Sequence, residues 1–220
     1  MLAIELVADV IPPVSTADSI QRAVDRMIEF RIRHLPIVND GQFVGLIAED
    51  DLVEQLDYQA PAGDVTLSLI NPYVLEDQHI YDVIRVFHER QLTAVPVLDD
   101  KNKYLGLISI NSLTEYFAQL TSVSQPGGII VLEINNKNNS LAHMAQIVES
   151  DNAQILSSYV RSFPDSTRME VTLKVNKQDI SAILSTFLRY EYIIKATFNH
   201  SGEVDNSRER YDSLMNYLNL

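Results

Sequence analysis

The first half of the chain states one pattern twice, about sixty residues apart, and this constrains the fold more than any other feature. The stretch Ser19-Ile20-Gln21-Arg22-Ala23-Val24-Asp25-Arg26-Met27 returns in kind as His79-Ile80-Tyr81-Asp82-Val83-Ile84-Arg85-Val86-Phe87, with its apolar positions in register. Leu35-Pro36-Ile37-Val38 returns as Val95-Pro96-Val97-Leu98, and Phe43-Val44-Gly45-Leu46-Ile47 as Tyr104-Leu105-Gly106-Leu107-Ile108. Units of this size need each other to bury their apolar faces. In the first unit Ile20, Ala23, Val24, Met27 and Ile28 follow the i, i+3, i+4, i+7, i+8 spacing of one helical face, with Thr16 or Asp18 as N-cap. An extended run at residues 35–38, a turn at Asn39-Asp40-Gly41, a second run at residues 43–47 and a short helix from about Asp50 complete it. The second unit repeats the order, with Ile80, Val83, Ile84 and Phe87 on the helix face, a longer loop at residues 99–103 and a closing helix at residues 111–120. Pro12-Pro13 and Pro72 precede the two helices and favour extended backbone, so each repeat reads β-α-β-β-α.

At 220 residues, 46% hydrophobic and 21% charged, the chain has the material for two compact domains. Its longest apolar run, Ile129-Ile130-Val131-Leu132, is far too short to cross a bilayer, and Glu5 and Asp9 stand where a signal peptide carries basic residues. The expectation is a cytoplasmic protein without membrane contact. The absence of cysteine excludes disulfides and thiolate metal sites. A net charge of −13 opposes binding to nucleic acid, which depends on clustered Lys and Arg. A small anion remains compatible, because screening confines each charge to roughly 8 Å and a local Arg or His cluster acts on its own.

Residues 36–52, Pro-Ile-Val-Asn-Asp-Gly-Gln-Phe-Val-Gly-Leu-Ile-Ala-Glu-Asp-Asp-Leu, resemble the most recognisable stretch of a cystathionine-beta-synthase (CBS) domain, and residues 96–113 resemble a diverged copy. The resemblance implies an intramolecular pair, a Bateman module, over residues 1–122. A linker of small and helix-breaking residues follows at 123–128. Beyond it, a strand from Gly128 to Ile134, a helix face of Leu141, Met144, Ala145 and Val148, and a strand from Ile155 to Arg161 are expected. The alternating Met169, Val171, Leu173 and Val175 mark a third strand, Ile180, Ile183, Leu184, Phe187 and Leu188 a second helix, and Tyr192 to Phe198 a last strand. The order βαββαβ over residues 129–200 is ferredoxin-like. Following a CBS pair it resembles the ACT domain, and the whole is similar to the acetoin-utilisation regulatory protein family. Where that family carries an acidic residue and a glycine at the effector loop, this chain has Asn136 and Asn139. In the tail, residues 201–220, Tyr211, Leu214, Met215 and Leu218 have helical spacing. The expected fold class is therefore α+β.

The CBS resemblance also implies site residues. Nucleotide-binding members place a Thr or Ser three residues before an Asp after the second strand, and the carboxylate accepts both vicinal hydroxyls of a ribose. The matching positions are Ala48 and Asp51 in the first repeat and Ser109 and Ser112 in the second, so each keeps half of the pair. Losing a charged acceptor costs roughly 1.5–3 kcal/mol against roughly 0.5–1.5 for a neutral hydroxyl, which favours the first site. Asp51 also reads as one of three acids at a helix start, favoured by the helix dipole. Arg31, Arg33 and His34 stand where CBS domains present basic groups to phosphates, and cations are equally favoured at a helix C-terminus. Their counterparts Gln91, Thr93 and Ala94 are uncharged. Ile11, Val14 and Pro36 complete the implied ligand cleft.

No Gly-x-Ser-x-Gly elbow, phosphate-binding Gly-rich loop or His-Glu-x-x-His helix is present, and the five histidines lack metal-ligand spacing. The sequence therefore reads as a non-catalytic regulatory homodimer that binds an adenosine-containing effector (AMP, ADP, ATP or S-adenosylmethionine) and acts on a target protein. The alternatives are a ligand-free interaction scaffold, or a sensor of an amino acid or small carboxylate through the ACT-like half.

Overall fold

The structure, a computed structural model, describes residues 1–7, 11–69, 72–135, 140–164 and 166–199. Asn136, Asn139 and the apolar positions Tyr211, Leu214, Met215 and Leu218 lie outside the described residues. The chain divides into two compact units, Met1–Tyr116 and Phe117–Leu220.

In the first repeat, α1 (Ile20–Phe30) is followed by an antiparallel hairpin of β1 (His34–Asn39) and β2 (Gln42–Ala48). Asp40 and Gly41 both have positive φ, 49° and 78°, and the two-residue loop they form matches the right-handed twist of the strands. Ser19, and neither Thr16 nor Asp18, caps α1, its side chain accepting from the Arg22 amide. The two expected caps are engaged elsewhere: Asp18 accepts from the Ser15 amide at 2.7 Å, and Thr16 exchanges hydrogen bonds with the Asn39 side chain. The helix expected from Asp50 is a single 3-10 turn, Glu49–Leu52. Ile28 of the expected buried face is 71% exposed.

The second repeat has a short β3 (Val74–Leu75) parallel to β4 (Ala94–Leu98), which pairs antiparallel with β5 (Tyr104–Ser109). Its helices are α2 (Ile80–Arg90) and α3 (Ile110–Leu120), and the boundary between the two units falls inside α3. The first repeat's counterpart of β3 is reduced to one parallel bridge, Val14 to Ile37.

The repeats interlock. β2 sends Ile47 into the core of its own repeat and Leu46 into that of the second repeat, among Val83, Phe87 and Val97. β5 does the reverse, with Ile108 in its own core and Leu107 in the first. Gly45 through Ala48 are consequently buried without a break, because successive side chains point to opposite faces and each face meets a core. The leading segments are exchanged as well: Ala3 and Leu6 pack in the second repeat, and Val65 in the first. The hairpins meet tip to tip, with Phe43 N–H donating to Asn102 and Tyr104 N–H to Gly41.

In the second unit a four-stranded antiparallel sheet has the order β7-β8-β6-β9, built from β6 (Gly128–Asn135), β7 (Ile155–Ser162), β8 (Arg168–Val175) and β9 (Ile193–Asn199). The helices α4 (Leu141–Ser150) and α5 (Ser181–Arg189) bury Met144, Ile147, Val148, Ile183 and Phe187 against Ile130, Leu132, Val171 and Leu173. The alternation of β8 is as expected, whereas in α4 Ile147 is buried and Leu141 is exposed. Lys174 of β8 donates to the Ser122 and Val123 carbonyls, which fixes the start of this unit on its sheet.

Leu46→Ala is expected to destabilise the protein by about 2–5 kcal/mol and to accelerate amide exchange in α2, in the other repeat. Denaturant titration with hydrogen exchange checks this; acceleration confined to the first repeat would refute the exchanged core.

Candidate functional site

At the end of β2 the chain turns through Glu49–Leu52, and Asp51 folds back over the turn. Its Oδ2 accepts from the Ala48 amide at 2.9 Å and its Oδ1 from the Ser68 amide at 3.1 Å. In the second repeat Ser112 Oγ accepts from the Ser109 amide at 3.0 Å, and Ser109 Oγ accepts from the Ser112 amide at 3.1 Å. The serine pair thus closes its own turn, while the longer, charged Asp51 closes a turn and also holds a distant segment.

Residues 33, 34 and 93 meet at the junction of the repeats. The Arg33 amide donates to Thr93 Oγ1 at 2.8 Å, and the Thr93 amide donates to His34 Nδ1 at 3.1 Å. The flanking bonds are symmetric: the Glu49 amide donates to the Arg33 carbonyl at 2.8 Å and the Ile110 amide to the Thr93 carbonyl at 3.0 Å. Because Nδ1 receives a proton donor, the ring proton of His34 sits on Nε2. Burial pushes the His34 pKa below the ordinary value of 6.5, and the Arg33 charge adds to this, while Asp50, Asp51 and Glu49 act in the opposite direction. His34 is therefore a neutral hydrogen-bonding group in the fold at neutral pH.

Arg33 and Arg31 lie on an open pocket of about 410 Å³ whose wall also includes Met27, Ile32, Leu52 and Glu49. Val14 is fully buried and joined to β1 on both sides, its amide donating to the Pro36 carbonyl at 3.0 Å and its carbonyl accepting from Val38 at 2.8 Å. Pro36 is buried, and Ile11 packs half-buried against the first core. The structure thus joins Arg33, His34 and Thr93 where the two repeats meet, holds Asp51 apart from them in the turn after β2, places Ser109 and Ser112 at the equivalent position of the second repeat, and uses the side chain of Val14 for the core.

Two features escape a reading of motifs alone. Leu67 and Ser68, in a stretch without helix or strand, reach the first repeat: Leu67 lies where a side chain on Gly45 would be, and Ser68 meets Asp51. Val7 covers Gly106 in the same way. A glycine at the same place in each copy, opposite residues sixty apart, was the available signal. The second feature is Tyr104, whose buried hydroxyl has no hydrogen-bond partner among the described residues and whose pKa is raised by burial. Among the described residues no group of three or more His, Cys, Asp or Glu is placed to hold a metal ion, and no helix is long and apolar enough to cross a membrane.

The sequence matches the family described as CBS domain over residues 5–58 and 63–119, just over half of the chain. The chain belongs to the CBS domain family. A homoserine O-acetyltransferase of Methanosarcina acetivorans is 24% identical over 107 residues, 48% of this CBS protein and 20% of that enzyme. The match therefore spans about a fifth of that relative's length. Among solved structures, a CBS domain pair/ACT domain protein from Thermotoga maritima is similar at 23% identity and a TM-score of 0.48, covering 53% of this chain and 96% of that one. The CBS domain pair of protein MJ0100, in complex with 5′-methylthioadenosine and S-adenosyl-L-methionine, is 25% identical with a TM-score of 0.42, covering 54% and 96%.

The His34 bond carries a pH dependence. Its pKa is lower in the fold than in the unfolded chain, so the unfolded state binds more protons between the two values. Stability from this group is complete above pH 6.5 and is lost as pH falls below it. His34→Gln, which keeps an acceptor for Thr93, is expected to flatten the decline in melting temperature between pH 7.5 and 5.5; unchanged slopes would refute the assignment.

Proposed function

We propose that the CBS pair is a non-catalytic sensor of an adenosine-containing ligand, with Asp51 as the ribose anchor and Arg33 and His34 near the phosphates. The observation that carries this reading is the Asp51 carboxylate, which closes the turn after β2, reaches the segment that joins the repeats and receives two hydrogen-bond donors at 2.9 and 3.1 Å. Its two acceptor oxygens match the two hydroxyls of a vicinal diol. Neutral His34 would donate from Nε2, leaving Arg33 as the cation for phosphate. Ser109, Ser112 and Thr93 belong to the matching half, where hydroxyls replace the carboxylate; Ile11, Val14 and Pro36 would contribute backbone and apolar wall.

In this reading the second unit is an ACT-type, ferredoxin-like domain, supported by the order β6-α4-β7-β8-α5-β9 and the sheet order β7-β8-β6-β9. The protein works as a cytoplasmic homodimer, and ligand preference for one arrangement of the repeats is its means of signalling to a target protein. The apolar side chains of Ile28, Val53 and Leu56, exposed at 71%, 73% and 101%, support a covered face in the dimer.

Thermal-shift measurements with AMP, ADP, ATP and S-adenosylmethionine test the ligand. Binding to the folded state alone adds roughly 2.7 kcal/mol at a hundredfold excess over Kd. Asp51→Ala is expected to abolish the ligand-induced shift and to lower ligand-free stability by about 1–2 kcal/mol, since the part-buried Ala48 amide loses its acceptor. A wild-type curve unmoved by millimolar nucleotide, or an equal shift in Asp51→Ala, would leave the scaffold reading in its place.

Light scattering at micromolar concentration is expected to return twice the single-chain mass. A single-chain mass throughout would exclude the dimer.

A further inference from the structure

The Asp51 carboxylate serves two donors of unequal standing. Ala48 is 6% exposed, so its amide depends on Oδ2. Ser68 is exposed, so water can replace Oδ1 as its acceptor. Oδ2 is therefore the committed oxygen and Oδ1 the exchangeable one.

Ser68 belongs to the segment joining the two repeats. Upstream, the 3-10 turn Ala62–Asp64 is tied to the first repeat by the Ala62 amide on the Asp18 carbonyl at 2.7 Å and the Gly63 amide on the Thr16 carbonyl at 3.0 Å. Val65 is buried in the first core. Downstream the chain enters β3 of the second repeat. Between these anchors Leu67 lies on Gly45, where any Cβ would collide with it, and Ser68 is held by Asp51. The second repeat has no such carboxylate, since Ser112 is committed to Ser109.

We propose that residues 65–69 form a strap that Asp51 latches in the ligand-free protein and that a ligand carrying a vicinal diol releases. This rests on the adenosine reading and adds its regulation: one hydroxyl takes Oδ1 from the Ser68 amide, the other shares Oδ2, and the freed amide turns to water. Ligand and strap compete for one carboxylate, so occupancy of the site is passed to the connection between the repeats. A ligand shifts an equilibrium only through such differential contacts.

The test is amide exchange at Ser68 in the full chain, followed by NMR, with AMP and with 2′,3′-dideoxy-AMP, which lacks the diol. AMP is expected to accelerate Ser68 exchange by about fivefold or more, and the dideoxy compound to leave it unchanged. Leu67→Ala, which loosens the strap without touching Asp51, is expected to bind AMP about three- to tenfold more tightly than wild type. AMP binding that leaves Ser68 equally or better protected, or weaker binding by Leu67→Ala, would overturn the strap while the adenosine reading stands. AMP binding to neither protein would overturn both.

Discussion

The exchange of Leu46 and Leu107 between the two halves of the CBS pair is the constraint on which the rest of this unit depends. Each second strand carries one apolar residue for its own core and the next for its partner's, so neither repeat can bury its strands alone. The reach of Ala3 and Leu6 into the second repeat, and of Val65 into the first, extends the same dependence to the connecting segments. Two copies of a sixty-residue pattern therefore behave as one cooperative body.

This interlocking positions the candidate site. Because the hairpins meet tip to tip and the leading segments cross over, the turn after β2 faces a segment from the beginning of the other repeat. A carboxylate at that turn has a partner seventeen residues away in sequence, whereas the serine at the equivalent turn bonds three residues back. One substitution between the copies, Asp51 against Ser112, thus converts a local cap into a tie across the pair. The Thr93 bonds to Arg33 and His34 follow from the same geometry, since these residues stand at the entry to the first hairpin strand in each copy and are brought face to face by the pseudo-symmetry.

Much of this was legible in the residues. The repeat, the hairpins and their turn, the helix face of α2 and the alternation of β8 follow from periodicity, because a helix or strand with one buried side must show it in sequence; on α5 the expected face holds at Ile183 and Phe187, whereas Leu188 is exposed. Asp51, Arg33, His34 and Thr93 were marked by their places in the repeat. The departures are equally physical. The cap of α1 fell to Ser19 because Asp18 and Thr16 found partners at Ser15 and Asn39. The helix expected after β2 is a single 3-10 turn, and Ile28 of the expected α1 face is exposed.

By itself the sequence determined the duplicated helix-and-hairpin plan, the lack of catalytic and metal-binding motifs, and the asymmetry of one retained carboxylate, while the outer strand and closing helix of the expected β-α-β-β-α unit are complete only in the second repeat. These are properties of local periodicity and residue chemistry, which act over a few positions. Only the tertiary structure decided that His34 is neutral, that the side chain of Val14 serves the core, and that Asp51 holds Ser68. Each of these depends on which groups, far apart along the chain, come within hydrogen-bonding distance and how completely water is removed around them.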